Sequence, residues 1–191
     1  MYLIDRSKKR QKGFHQLIAL GFSLMLLILG TSQVAKMALE GKQRRDEDRL
    51  VSQVQMVINA AKAYGVAQGS YQGITPRLLR DNNLVSSEIF NPNNALRLQH
   101  TFKSRLHVRS ENIGAPCGGA NCANAFSVGA WDVTDDVCAA VVLERFGSSH
   151  IWTEVYDVGT GGTQRRQVQD SRLIRDCIRT SNNKRVIFYL H

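Results

Sequence analysis

The sequence predicts an α+β fold: a long N-terminal helix, with a membrane-inserted half and an amphipathic half, packed on an antiparallel sheet head domain. Residues 14–64 contain no proline and are rich in helix formers. Beyond them, short segments of alternating apolar and polar residues predict strands, with helices on one face of the sheet. Four cysteines all lie in this second part, as in exported domains that are held by disulfides.

The N-terminal region combines a basic segment with an apolar one. Cations at Lys8, Lys9, Arg10 and Lys12 precede an almost unbroken apolar run over residues 17–29. An apolar run of this kind avoids water, and positive charge before it stays on the cytoplasmic side of a membrane. We therefore expect the chain to be tethered to a membrane at its N-terminus, with its basic end in the cytoplasm and the rest exported.

Two interpretations of this region compete. An ordinary secretory signal peptide would be removed after its apolar run. The alternative is a leader of residues 1–13 that is cut between Gly13 and Phe14, which leaves residues 14–30 as the first half of the helix. The abrupt change from charged to apolar residues at that junction favours the leader, as does the absence of loop composition after Gly30. Residues 14–30 would span a bilayer only marginally, at about 25 Å.

Residues 31–64 predict the amphipathic half of the same helix. Apolar side chains recur at spacings of three and four and share one stripe: Leu50, Val54, Val57, Ile58, Ala61 and Tyr64. Opposite charges between Arg44 and Arg49 support each other on the exposed side. Gly30 and Gly41 are positions where the helix could bend, because glycine costs up to about 1 kcal/mol relative to alanine in a helix.

Residues 65–191 predict a globular head. Its first part is expected to contain a loop from Gly65, a short helix over 76–84, a polar turn at 91–94 and a hairpin formed by 95–100 and 104–109. A strand over 125–131 follows, and then a helix from Asp136 to about Phe146 that Thr134 and Asp135 cap. The last expected elements are a strand over 151–156, a helical turn over 171–178 and a terminal strand over 185–190.

The four cysteines predict two disulfides, for which three pairings exist. Cys117 and Cys122 enclose a glycine-rich loop, which favours pairing between them and leaves Cys138 with Cys177. The second bridge would close a loop of roughly 40 residues and so limit the unfolded ensemble by about 3–4 kcal/mol. Metal binding is the alternative, but four residues between the first two cysteines exceed the tight zinc-knuckle spacing, and export favours oxidation.

The sequence predicts no catalytic site, cofactor or metal. Its five histidines lack the spacing of metal-binding helices. Ser148, Ser149, His150 and Asp157 include the residue types of a hydrolase triad, but no nucleophile elbow surrounds either serine. Residues 159–162 are glycine-rich without the Lys-Ser/Thr that follows a phosphate-binding loop, so they predict a flexible turn.

The distribution of charged residues predicts neither a calcium site nor a specific nucleic-acid partner. Helix capping explains Asp132, Asp135 and Asp136 with fewer assumptions than calcium binding does. The net charge of +9 includes the basic leader, and the remaining arginines are dispersed. Dispersed arginines are typical of a solvated surface, so we expect no specific nucleic-acid partner.

The ordered set of these features resembles the type IVb pilins, the group that includes the bundle-forming and toxin-coregulated pilins, over nearly the whole chain. Lys12-Gly13-Phe14 resembles the prepilin-peptidase site, and VQMVINAAKAYGVAQGSYQGIT resembles the end of the pilin helix and the loop after it. Asn91-Pro92 resembles the turn ahead of the first hairpin. AFSVGAWDVTDDVCAAVV and DCIRTSNNKRVIFYLH resemble the strand with its Cys-bearing helix and the C-terminal end of those pilins.

The resemblance implies a structural subunit and not an enzyme. Prepilin peptidase would cut between Gly13 and Phe14, the Phe14 amine would be N-methylated, and a Cys138–Cys177 disulfide would define the variable surface region. With an assembly platform and ATPase, the subunit would leave the inner membrane and polymerise with its own copies and other pilins. The product would be an extracellular pilus for adhesion, aggregation or conjugative contact. Cys117 and Cys122 are additional to the usual single pair.

One position departs from the family pattern. Ile18 stands at the fifth mature position, where pilins typically carry a glutamate that pairs with a neighbour's N-terminal amine. A minor or initiating pilin, or a secretion pseudopilin, is therefore an alternative function. A second alternative is a signal-peptide-cleaved periplasmic binding domain stapled by disulfides. The mature N-terminus separates them, since Phe14 supports a pilin and a start beyond about Ser32 supports the secreted domain.

Overall fold

The computed structural model describes residues 5–113, 123–157, 163–167, 170–179 and 184–191. Its first element is helix α1, Asp5–Gln68. The chain divides into two units, Met1–Arg45 and Asp46–His191, so that α1 contributes residues to both.

In the first unit the chain is helical from Asp5 onward, and neither Gly30 nor Gly41 interrupts the helix. The large apolar side chains that are described here are exposed: Leu20, Met25, Met37 and Leu39. No helix in the described part of the chain has both the length and the apolar character needed to cross a membrane. Most side chains of the predicted membrane segment, residues 14–30, lie outside the described residues.

In the second unit α1 buries the stripe that the sequence predicts. Five residues of the stripe are almost inaccessible to solvent: Leu50, Val54, Val57, Ile58 and Ala61. Tyr64, the sixth, is partly buried and packs against the same core. The helix continues past Tyr64 to Gln68, so the predicted loop begins later than expected. It ends there because Gly69 has a φ of +67°, a left-handed conformation that glycine adopts without steric cost.

Four short helices follow. Helix α2 (Pro76–Asp81) begins where the Thr75 hydroxyl accepts a hydrogen bond from the Leu78 N–H, with proline in the first turn. A 3-10 helix, Ser87–Ile89, is capped in the same way by Ser86. Helix α3 (Asp135–Val141) is shorter than predicted, because the chain leaves the helix at Val142, and α4 spans Arg172–Arg179.

The described strands form one antiparallel sheet in the order β1-β2-β3-β4-β7-β5-β6. Their bounds are Phe90–Asn91, Asn94–Gln99, Arg105–Glu111, Ala125–Val133, His150–Asp157, Thr163–Gln167 and Lys184–Leu190 for β1 to β7. The predicted hairpin is confirmed, since Leu98 of β2 lies opposite Leu106 of β3. The C-terminal strand β7 lies between β4 and β5, so the last residues of the chain join the two halves of the sheet.

Strand β6 was not predicted. Its sequence, TQRRQ, contains no apolar residue whose alternation could indicate a strand. It forms because β5 offers a free edge, against which Thr153 lies opposite Arg166. The flexible turn predicted at residues 159–162 lies outside the described residues.

The core of the second unit lies between α1 and one face of the sheet. Alternate residues of the central strands, including Leu106, Val128, Val186 and Phe188, share one buried cluster with the α1 stripe. A polar contact accompanies this packing, since the Thr101 N–H donates to Oε1 of the buried Gln53 at 2.8 Å. The other residues of the same strands face away from the core and form the outer face of the sheet.

Candidate functional site

The disulfide-bounded segment contains Cys138 in α3 and Cys177 in α4, joined by a disulfide with a Cα–Cα distance of 5.7 Å. This is the pair that the family resemblance implied. Both residues are fully buried. Cys117 and Cys122, the other predicted pair, lie outside the described residues.

Two ion pairs attach this segment to the sheet. The Lys184 ammonium, entirely buried at the start of β7, donates to the Asp135 carboxylate at the start of α3. The Arg166 guanidinium of β6 donates two hydrogen bonds, of 2.5 and 3.1 Å, to Asp176, the neighbour of Cys177. Each end of the disulfide is therefore beside an ionic contact with a strand, which holds α3 and α4 against the sheet.

The three aspartates near α3 do not form a metal site. Asp132 accepts a hydrogen bond of 2.6 Å from Ser104, while Asp135 binds Lys184. No group of three metal-ligating side chains occurs among the described residues. The predicted capping is wrong in one respect, because Thr134 occupies the N-cap position without a side-chain hydrogen bond. Asp135 and Asp136 lie in the first turn instead, where negative charge complements the helix dipole.

The structure does not assemble a hydrolase triad. His150 and Asp157 are the first and last residues of β5, which places them roughly 20 Å apart along an extended strand. His150 is buried beside the rings of Phe146 and Phe188. Its Nδ1 accepts from the Phe146 N–H at 3.3 Å, and its Nε2 lies 3.0 Å from the Trp152 carbonyl. Both ring nitrogens therefore serve the fold, and burial lowers the pKa of His150 to about 4.

The outer face of the sheet carries a row of cations and aromatic rings that crosses four strands. Trp131 lies opposite Arg185, and Arg185 lies opposite Tyr156. The Arg185 guanidinium carbon is 3.1 Å from the centre of the Trp131 ring and 5.1 Å from that of Tyr156. Arg105 of β3 lies 5.3 Å from the same tryptophan ring. Cation–π contacts of this kind stabilise the row.

This row borders a groove of about 500 Å³, which we call the outer-face groove; further along it lie His107, Arg109, Glu111, Ser127, Glu154, Ile187 and Tyr189. Partial burial, with the positive charges of Arg105, Arg109 and Arg185, lowers the pKa of His107 to about 4. At neutral pH the imidazole is therefore uncharged, and the charges of the groove come from its arginine and glutamate side chains.

Sequence reasoning missed the outer-face groove. The segments SRLHVR and RVIFYL were interpreted as strands only by their apolar positions, which face the core. The signal lay in the intervening positions, where arginine and aromatic residues alternate with the apolar ones. The order of the sheet was also needed, because β7 is far from β4 in sequence and adjacent to it in space.

The remaining predicted site residues, Gly13 and Phe14, belong to α1. Their side chains lie outside the described residues, as does that of Ile18. The cleavage site and the N-methylated amine therefore stay predictions from the sequence.

Comparisons with known proteins support the fold. No protein-family model and no curated protein matches the chain. Among solved structures, a similar one is TcpA, a type IV pilin from the El Tor biotype of Vibrio cholerae, with a TM-score of 0.54 and 12% sequence identity. The match covers 77% of this chain and 99% of that one. The α+β architecture of an N-terminal helix on an antiparallel sheet with one described disulfide is thus that of a type IV pilin.

Proposed function

We propose that this chain is a structural subunit of a type IVb pilus. It is made as a prepilin, inserted in the inner membrane through residues 14–30, cut by prepilin peptidase and polymerised into a helical surface filament. The fold shared with a solved type IV pilin supports the class of protein, and the motif order in the sequence supports the type IVb subgroup.

The observation that carries the proposal is the exposure of apolar side chains on the first part of α1. Leu20, Met25, Met37 and Leu39 are each more than half exposed. Apolar residues repeated along a solvent-exposed helix indicate a partner surface, which is lipid before assembly and other subunits afterwards. The second unit has its own buried core and needs no such partner to fold.

Processing precedes assembly in this proposal. Prepilin peptidase cuts between Gly13 and Phe14, and the new Phe14 amine is N-methylated. The mature subunit then leaves the membrane through contacts with an assembly platform that an ATPase drives. Each subunit presents a different surface to the copies before and after it, so the polymer is open rather than closed.

Mass spectrometry of the mature protein tests the processing step. We expect an N-methylated chain that starts at Phe14, and we expect Gly13→Asp to accumulate as an uncut precursor in the membrane fraction, because a larger charged residue obstructs the peptidase. Gly41→Asp is the matched control, since it adds the same charge to the same helix beyond the junction. A mature chain that starts beyond about Ser32 would instead identify a secreted domain released from a signal peptide.

Ile18 supports a second candidate, a minor or initiating pilin. A glutamate at this position can pair with a neighbour's amine and fix the register of an incoming subunit, whereas isoleucine can only pack. A subunit used once at a filament tip tolerates that loss more easily than one repeated along the fibre. Quantifying the chain in sheared filaments distinguishes the two: dominance identifies a major subunit, and trace abundance a minor one.

A further inference from the structure

The outer-face groove has no part in the proposed assembly or processing, and its structure points to a ligand. It lies on the sheet face opposite the core, and its row of Arg105, Trp131, Arg185 and Tyr156 is built from four separate strands. Because these strands are held by a continuous ladder of backbone hydrogen bonds, the four side chains are positioned by the rigid part of the head.

Two observations distinguish this row from an ordinary solvated sheet face. Trp131 Nε1 and Arg185 Nε are both buried without a hydrogen-bond partner, and donors left in this way are costly. Beside them, Asp132 has a φ of +53°, in a break of register between Trp131 and Val133. Bulges and left-handed non-glycine residues re-aim neighbouring side chains and concentrate at functional sites.

The charges of the groove are uneven. Arg109 forms an ion pair of 2.8 Å with Glu111, which also accepts from Ser127. Within the described part of the chain, neither Arg105 nor Arg185 forms an ion pair. Arg105 and Arg185 therefore have no described carboxylate within ion-pair distance, and Asp132 and Glu154 act on Arg185 from further away.

We propose that the outer-face groove binds an acidic saccharide, a sugar chain that carries carboxylate groups. The planar fork of a guanidinium matches a carboxylate with two parallel hydrogen bonds, and Arg105 and Arg185 are available for it. The Trp131 ring holds Arg185 in place at 3.1 Å, and the Tyr156 ring, 5.1 Å from the same guanidinium, gives an apolar plane for a sugar ring. Glu111 and Glu154 are acceptors for sugar hydroxyls, and Glu154 already accepts from the Tyr189 hydroxyl at 3.1 Å.

The same two carboxylates argue against a nucleic acid. A phosphodiester chain carries one negative charge per nucleotide, so it would meet Glu111 and Glu154 as it followed the groove. A saccharide with a carboxylate on one ring places its charge at the arginine row and hydroxyls elsewhere. The volume of about 500 Å³ is within the range of small-ligand sites and suits a short saccharide.

Calorimetry on the full chain in a polyoxyethylene-ether detergent, which contains no sugar, tests this proposal. The probes are a galactose trimer whose terminal ring is a galacturonate, the neutral galactose trimer and a DNA dinucleotide, which also carries a single charge. We expect the trimer with the terminal galacturonate to bind, and Arg185→Gln to weaken it by about tenfold or more, because a charge-assisted pair of hydrogen bonds is lost. Arg185→Lys should weaken it too, since it keeps the charge and loses the fork.

Arg77→Gln is the matched control. It removes one arginine charge from α2, outside the groove, and should leave the affinity unchanged. Equal binding of the neutral trimer, binding of DNA alone, equal loss in Arg77→Gln, or no binding of any probe would each overturn the proposal. Filament assembly by Arg185→Gln, seen by electron microscopy, should remain normal, which separates this site from the proposed pilin function.

Discussion

The two parts of helix α1 treat apolar side chains in opposite ways. In the first unit Leu20, Met25, Met37 and Leu39 are exposed, whereas in the second unit Leu50, Val54, Val57 and Ile58 are buried. Propensity does not separate the two parts, since both are helical without interruption. The difference is that the second part packs against a sheet of its own chain, whereas the described apolar side chains of the first part do not belong to that buried core.

This contrast separates residues that stabilise the fold from residues that would serve assembly under the proposed function. Burial of the second stripe contributes to the free energy of unfolding of the head, so substitutions in it should lower the stability. Exposed residues of the first part contribute little to that free energy, so under the proposed function their substitution should change membrane insertion or polymerisation instead. Paired variants distinguish the two roles.

The largest effect is expected from charge in the buried stripe. Ile58→Asp places an unpaired carboxylate among fully buried side chains and should destabilise the head by more than about 4 kcal/mol, a large part of a typical total of about 5–15 kcal/mol. Leu39→Asp is the matched control and should change the stability by no more than about 0.5 kcal/mol. Urea unfolding followed by tryptophan fluorescence measures both. Similar losses in the two variants would abolish the contrast.

The disulfide gives the next largest effect. Replacing Cys138 and Cys177 together with serine should lower the free energy of unfolding by about 3–4 kcal/mol, because the bridge closes a segment with a sequence separation of 39. Replacing Cys117 and Cys122 together is the control, since their predicted bridge closes a much shorter loop and should contribute only about 2 kcal/mol. Non-reducing peptide mapping checks the pairing, and a peptide linking Cys117 to Cys177 would contradict it.

The sequence was informative wherever local pattern decides structure. Helical periodicity identified the α1 stripe, and the predicted helix over 76–84 begins where α2 begins, although α2 ends earlier, at Asp81. Alternation identified most strands, although β6 escaped because its residues are polar throughout. The length of α3 was overestimated, since apolar residues continue to Val142 and Leu143 while the backbone already leaves the helix.

The outer-face groove could not be predicted, and the reason is topological. Its arginine and aromatic residues come from β3, β4, β5 and β7, whose neighbours are decided by the long crossover that inserts β7 between β4 and β5. No local signal specifies that order. The ion pair between Lys184 and Asp135 was missed for the same reason, because the two residues meet only through the position of β7.

Glycine positions test the contrast at the level of a single methyl group. A Cβ on Gly65 would lie 2.2 Å from the Tyr71 ring, which itself packs against Phe126. Gly65→Ala should therefore destabilise the head by about 1–3 kcal/mol through overpacking. A Cβ on Gly41 meets nothing within 4 Å, so Gly41→Ala should stabilise the helix by up to about 1 kcal/mol. Thermal unfolding by circular dichroism should show shifts of opposite sign, and shifts of the same sign would contradict the packing.

Acidification tests the buried part without changing its sequence, and its expected effect is the smallest. Burial lowers the pKa of His150 from 6.5 to about 4, so the folded head resists a proton that the unfolded chain accepts. The stability from this neutral histidine is complete above pH 6.5 and is lost as the pH falls toward 4. At pH 5.5 His150 should contribute about 1 kcal/mol to the loss relative to pH 7, measured by urea unfolding as the difference between the native chain and a variant without this histidine.

The His150→Gln variant tests whether the loss of stability in acid comes from protonation of the buried His150 ring. Glutamine keeps a polar side chain beside the Phe146 N–H and the Trp152 carbonyl but does not titrate. The variant should be less stable than the native chain at pH 7, because it fills the space between Phe146 and Phe188 less well, yet it should lose less stability on moving to pH 5.5. If it lost as much as the native chain, another histidine would take up the proton. The candidates are His107, whose pKa is also lowered to about 4, and His100, whose pKa burial lowers. Replacing each of them by glutamine would then identify the group that makes the head sensitive to acid.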